Sequence, residues 1–430
     1  MKLRPGAALA AGLLLLSAGC ASGIGAGSPP LPSRGVTTEP AASVARHVAV
    51  VPGEPACMTA TQPAPQLGAT ATTMLNLRSP GASPVSIVPF GVAVTAGGHW
   101  AFVALGRSVA VLKLSAGQPS SLVRTIDLPE RALGAIHVPV RGLGATLTPD
   151  GRSLLIAGGA GAVVVSVRAA EQGSAHAVLG ELSASAGPRS SSAIEVAVSA
   201  DGRYAFVSLE YADKIAVFDL AKAAAHSFGV NAYVGAIPAG LATVGLAVSR
   251  DGRWLYATSE GQPPDNEVGT LEVISVPKAE SDPAASVVAT VTAGCEPVRV
   301  ITSADGSVVW VTARASDALL GFSAARLRTD PSHALVARVE VGEAPVGLAL
   351  ARNGSLIVVA DSNRFAAAGQ AASLAVVSVP AALAGRPALV GYLPAGQFPR
   401  DMAAAPGGRT VLVANFASGQ LETVNIGALP

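Results

Sequence analysis

Aromatic side chains make up only 4% of this chain and charged ones only 13%, while half of all residues are apolar. With a net charge near +1, the sequence builds no field that would gather nucleic acid or an acidic surface, so nucleic-acid binding is not expected. There is no His-Glu-x-x-His, no Cys-x-x-Cys-His, no Gly-x-Ser-x-Gly and no Gly-Lys-Ser/Thr loop. Their absence removes the sequence signatures of zinc proteases, c-type haem, nucleophile elbows and phosphate loops. The six histidines, His47, His99, His137, His176, His226 and His333, fall at unrelated points and read as solvated or capping residues, so no metal and no cofactor is expected. Gly158-Gly-Ala-Gly161 lacks the third glycine and the following helix of a dinucleotide site and reads as a loop. Beyond the N-terminus no apolar run reaches the roughly 18 residues of a membrane-spanning helix.

What the chain does have is a repeat. A turn glycine preceded by a small or acidic residue recurs at Gly98, Gly151, Gly202, Gly252, Gly306, Gly354 and Gly408, at intervals of 48 to 54 residues. Each sits between two short apolar runs, such as Gly245–Ser249 and Trp254–Thr258, and dipeptides such as Asp251-Gly252 and Asn353-Gly354 close tight hairpins. A third alternating run and a fourth complete most copies. Four antiparallel strands per copy, seven times over, predict an all-β fold, a seven-bladed β-propeller over 71–430. The last copy runs out after its third strand, so either Met74–Leu77 or Val85–Val88 is expected to supply its outer strand; otherwise an edge stays open. Ala, Val and Leu must fill the blade interfaces, with Trp100, Tyr204, Trp254 and Trp310 as packing residues at the start of second strands.

The N-terminus is of another kind. Lys2 and Arg4 precede the apolar stretch Ala7–Leu16, which ends in Leu16-Ser-Ala-Gly-Cys20. This resembles a bacterial lipoprotein signal, which implies a signal segment over 1–20, a lipidated Cys20 and an extracytoplasmic chain held to a membrane by lipid alone. Residues 21–70, rich in Ala, Pro, Ser, Thr and Gly, read as a flexible tether. With Cys20 lipidated, Cys57 and Cys295 remain as an even pair in an oxidising compartment, and a disulfide pinning the tether across the ring is preferred to two free thiols.

The repeat register also nominates a site. Seven residues before each turn glycine stand Gly91, Gly144, Glu195, Gly245, Arg299, Gly347 and Asp401, at the start of the innermost strands. Equal register means equal depth, so Glu195, Arg299 and Asp401, with Arg400 beside them, should meet around the channel as a pocket or a self-neutralising plug. Where second strands end, Glu210, Glu260, Arg314, Asp361 and Asn415, followed by Asn363 and Arg364, are expected at the same mouth, as ligand contacts or as a solvated rim.

Units such as Val248–Thr258, Ile301–Ala313 and Pro345–Ala349 resemble the YVTN-type, or YncE-like, propellers over about residues 80 to 430. The resemblance implies a seven-bladed ring and frequent export, but no single activity; some members are similar to 6-phosphogluconolactonases and some are reported as ligand or DNA binders. The preferred reading is a monomeric, non-catalytic module of the cell envelope that binds a small molecule, a glycan or a protein at the channel mouth. The alternative is a lactonase-like hydrolase in which Glu195 acts as general base on a water and Arg299 stabilises the oxyanion.

Overall fold

Short apolar runs separated by tight turns fold into antiparallel strands, and the computed structural model arranges them as seven four-stranded sheets. It describes residues 47–57, 63–68, 72–77, 88–115, 120–133, 136–139, 141–184, 192–228, 232–261, 268–364 and 371–429, all within the unit Arg46–Pro430. The expected signal segment with Cys20, the tether up to residue 46 and residues 85–87 lie outside the described residues.

Blade four shows the pattern. Thr243–Val248 lies innermost, followed outward by Trp254–Ser259, Val268–Ser275 and Val287–Cys295, each antiparallel to the next. The other innermost strands are Val92–Val94, Ala145–Leu147, Ala193–Val198, Pro297–Thr302, Pro345–Ala351 and Pro399–Ala404. Blade seven takes its outer strand from the start of the ring: Thr72–Asn76 pairs with Gln420–Asn425, with Thr72 opposite Val424 and Asn76 opposite Gln420. The all-β seven-bladed propeller is therefore the fold, and the segment around Met74 closes it.

All seven turn glycines adopt φ between +62° and +86°, a left-handed conformation that strains any residue with a Cβ. Four of the hairpins carry more than Asp-Gly. Thr148, Ser199, Ser249 and Ser303 stand two residues before the aspartate and donate to its carboxylate at 2.5 to 2.6 Å. That carboxylate also accepts from the N–H two residues on, at 3.0 to 3.1 Å, and the hydroxyl oxygen accepts from the first N–H of the second strand at 3.0 Å. These hydroxyl bonds hold Asp150 and Asp251 below the usual carboxylate range and bring Asp305 to about 2.

Between blades the core is aliphatic. Blades four and five meet over Tyr256, Leu271, Val273, Val309, Val311, Leu320 and Phe322. Burying one such side chain contributes about 1.5 to 3 kcal/mol. Trp310 is fully buried between blades five and six, while Trp100, Tyr204 and Trp254 flank neighbouring clusters half-buried.

The stretch read as a tether is docked on the ring wherever it is described, which corrects that reading for 47–57 and 63–68. Ala49 runs parallel to the outer strand of blade four; its N–H donates to the Thr290 carbonyl at 2.9 Å, and its own carbonyl accepts from Thr292 at 3.0 Å. Ala49 and Val51 are buried in the blade-four cluster. Farther on, the Leu67 N–H donates to the Tyr392 carbonyl and the Tyr392 N–H to that of Pro65, on the outer strand of blade six. Cys57 and Cys295 form a disulfide with Cα atoms 5.5 Å apart, 238 residues apart in sequence.

Cross-linking so long a loop restricts the unfolded chain by about 5 kcal/mol in the chain-entropy model. Cys57→Ser is expected to lose about 2 to 5 kcal/mol in urea unfolding, and reductant is expected to lower the wild type to the level of the variant. Equal stability of oxidised wild type and variant would show that the bridge adds nothing to the fold.

Candidate functional site

The axis is lined by seven inner strands that approach one another at backbone distance. A Cβ on Gly91 would lie 2.4 Å from the Ala145 nitrogen, one on Gly245 2.4 Å from the Val298 carbonyl oxygen, and one on Gly347 2.7 Å from that of Arg400. Glycine is required at these positions because the next blade occupies the space of a side chain. The strands are also bonded to each other. Gly91 and Gly144 donate directly to the Leu143 and Ile194 carbonyls at 3.0 and 2.8 Å. In blades three to five a hydroxyl relays the link: Ser208, Thr258 and Thr312 accept from their own inner strand and donate to the Val244, Val298 and Val346 carbonyls at 2.7 to 2.9 Å.

Where the register is not glycine it is charged, and the three charges meet. Arg299 Nε lies 3.3 Å from Glu195 Oε2 and 3.9 Å from Asp401 Oδ1, joining alternate blades across the intervening glycines. Asp401 also accepts from the Val92 N–H at 3.1 Å, which ties blade seven to blade one. All three side chains are at most 15% exposed. Burial raises the pKa of both carboxylates, which are close enough to influence one another, while Arg299 opposes the rise.

One residue toward the mouth, the register is apolar: Phe90, Ile194, Val244, Val298 and Val346 form one cluster, with Leu143 and Phe416 packed against it. Blade seven places Arg400 at this level. Its guanidinium carbon sits 4.2 Å from the centroid of Phe90, 5.3 Å from that of Phe416 and 5.4 Å from that of Phe398. Burial and the charges of Arg299, Arg364 and Arg314 lower its pKa to about 9.

Above lies a second ion cluster. Arg314, buried, donates from both terminal nitrogens to Glu260 at 3.0 Å, and from Nε and Nη2 to Glu296 Oε2 at 2.8 and 2.5 Å. Burial opposes its charge, but the two carboxylates more than compensate and raise its pKa. Glu210, half-buried and 3.5 Å from the Ser192 hydroxyl, is raised by burial and by Glu260. Arg364 is lowered by partial desolvation of its guanidinium and by Arg314. Glu210, Glu260, Arg314 and Arg364 thus share one neighbourhood with Arg400.

Two nominated residues lie elsewhere. Asp361 and Asn415 are buried inside their blades, where Asp361 accepts from the Ser373 hydroxyl at 2.9 Å and Asn415 donates to Glu422 at 3.0 Å. They belong to a structural series in which Glu272, Asp361 and Glu422 receive the N–H of Gly240, Gly342 and Gly396. In blade five that partner comes from the docked N-terminal segment: Glu54 accepts from Gly294 at 3.1 Å. Asn363 braces its loop by donating to the Ala371 carbonyl at 3.0 Å.

Register analysis of the inner strands missed Glu296 and Phe398. Both belong to a further repeat three residues before the charged register, Ser192, Ala242, Glu296, Ala344 and Phe398, all with φ between +45° and +55°. Each carbonyl accepts the N–H that ends the second strand, at 2.8 to 3.1 Å. Such backbone costs of order 1 kcal/mol or more per residue. Among the described residues no group of His, Cys, Asp and Glu is arranged to hold a metal ion, and no helix is long and apolar enough to cross a membrane. A surface pocket of about 480 Å³ lies on the opposite face between blades two and three, but its carboxylates, Asp150 and Asp201, are already committed to their hairpins.

The family model described as Lactonase, 7-bladed beta-propeller matches residues 144–346, less than half of the chain. No curated protein sequence matches. Among solved structures, hydrazine synthase of Kuenenia stuttgartiensis is 15% identical with a TM-score of 0.61, over 81% of this chain and 98% of that one. A chain of the mitotic checkpoint complex is 14% identical with a TM-score of 0.61, over 85% and 98%. Likeness at such identity is likeness of fold.

The buried carboxylates dictate a pH response. Burial lifts Glu422 to about 7, and Glu195, Glu272 and Asp361 are raised by the same cause. A raised acid binds its proton more tightly folded than unfolded, so its contribution is complete below the unfolded pKa and is lost as pH climbs through the folded one. Melting temperature is therefore expected to fall between pH 5 and pH 8. Glu422→Gln is expected to recover up to about 3 kcal/mol at pH 8 and little at pH 4. A variant no more stable than wild type at pH 8 would remove Glu422 from this account.

Proposed function

We propose that this protein is a non-catalytic binding module, exported and held to the cell envelope through a lipid on Cys20, which takes its ligand at the mouth of the central channel. The carrying observation is that the axial charges are compensated from within. Glu195, Arg299 and Asp401 pair with one another, and Arg314 is clamped between Glu260 and Glu296. A nucleophile or base for chemistry needs room for substrate beside it, and these side chains instead form a closed floor beneath a polar rim. The disulfide between Cys57 and Cys295 supports export, because such bonds persist in oxidising compartments. The low net charge supports a partner other than nucleic acid. The chain is expected to act as a monomer, since Thr72–Asn76 covers the strand of blade seven, Gln420–Asn425, that would otherwise lie open.

The family match over 144–346 favours a second reading, a lactone hydrolase with Glu195 as base and Arg299 as oxyanion partner. Its residues are within reach of one another but face inward.

Two experiments test these readings. Palmitate labelling in a bacterial host should mark the wild type and not Cys20→Ala; label on both would exclude Cys20 as the anchor. In a screen of aldonolactones no turnover above background is expected. Turnover that falls at least a hundredfold in both Glu195→Gln and Arg299→Ala would replace the binding reading by the hydrolase.

A further inference from the structure

Among the cations at the mouth, Arg400 stands apart. Arg299 has two carboxylates within 4 Å and Arg314 is hydrogen-bonded to two, but no carboxylate oxygen lies within 4 Å of Arg400 among the described residues. Its Nε is buried without a hydrogen-bond partner, and so are Nε and Nη2 of Arg299, which is itself only 6% exposed. Three phenyl rings surround the Arg400 guanidinium: Phe90, Phe398 and Phe416. Rings stabilise the cation through its flat face but accept no N–H bonds in its plane. A guanidinium fixed this way keeps its edge unspent, and the residue as a whole remains partly exposed.

The nearest carboxylates already have other partners: Glu195 and Asp401 lie within 4 Å of Arg299, Glu260 and Glu296 bond Arg314, and at Arg400 the charges of Arg299, Arg364 and Arg314 outweigh that of Glu260. A desolvated cation with no hydrogen-bonded counter-ion is costly to keep and is relieved by an anion that supplies one. A rigid planar fork selects a planar oxyanion that can take two parallel N–H bonds, which describes a carboxylate better than a tetrahedral phosphate.

We infer that Arg400, caged by Phe90, Phe398 and Phe416, is the recognition point for the carboxylate of a small organic acid entering the channel mouth. This rests on the binding reading and narrows it to a ligand class. The rings grip the guanidinium so that it approaches the ligand already oriented.

The test is calorimetric titration of the full chain at pH 7 and low salt with acetate, D-gluconate and inorganic phosphate. Saturable 1:1 binding of gluconate or acetate is expected, with Kd at least tenfold weaker in Arg400→Lys, which keeps the charge but loses the fork. Arg152→Ala, on an exposed hairpin of the opposite face, should bind as wild type does. Should Arg400→Lys unfold, arginine side-chain Nε–H resonances of the wild type are followed by NMR, where one shielded, ring-shifted signal is expected to move on saturation. Binding of phosphate in preference to both carboxylates, equal affinity in Arg400→Lys, no shift of the ring-shifted signal, or no binding of any anion would each overturn the inference. Capture of a neutral glycan or a protein at the mouth without anion binding would sink it while leaving the binding reading intact; lactone turnover dependent on Glu195 would do the reverse.

Discussion

The contact on which the rest of the molecule depends is that of backbone against backbone at the axis. Seven inner strands converge so closely that four of them carry glycine at the narrowest level, and those of blades three to five are hydrogen-bonded to the next blade through Ser208, Thr258 and Thr312. Close convergence leaves the channel too narrow for a chain of bulky residues. What fills it is the remainder of the same register: an arginine held by two acids, each reaching over a neighbouring glycine. The charged cluster and the glycines are one arrangement, since a side chain can cross the axis only where the adjacent blade has none.

That arrangement sets the character of the mouth. The axial floor is an arginine between two acids, with Phe90 and its aliphatic neighbours one residue on, so under the binding reading proposed above a ligand would meet the rim and the Arg400 cage. The rim in turn includes a strained turn repeated in five blades, whose side chains differ from blade to blade while the backbone does not. Ser192, Glu296 and Phe398 occupy equivalent positions and do three different things: one approaches an acid, one clamps an arginine and one cages another. The scaffold repeats and the chemistry does not, as expected where loops on a rigid frame carry recognition.

Much of this was legible in the sequence. The turn glycines gave the blade count, because only a left-handed position demands glycine so regularly, and the shared register brought Glu195, Arg299 and Asp401 together before any coordinates. Register fixes depth along a strand but not the side to which a residue points. For that reason Asp361 and Asn415, placed by spacing at the mouth, turn out to be buried beside Ser373 and Glu422. Glu296 and Phe398 were invisible to a search of strands, since their common signal is a backbone angle in the preceding loop. For the N-terminal segment the sequence offered the bridge from Cys57 to Cys295 but not the backbone docking around Ala49, because its Ala- and Pro-rich composition lacks strand alternation; Glu54 there takes the place of a carboxylate that blade five does not have.

Thr72–Asn76 precedes blade one, and its partner, Gln420–Asn425, follows blade six. During synthesis, blades one to six can each assemble from neighbouring sequence as it emerges, but this strand must wait unpaired until blade seven has been made. Completion of the ring therefore reports that the seventh blade has been synthesised, and a chain cut short within it leaves its earliest propeller strand without a partner.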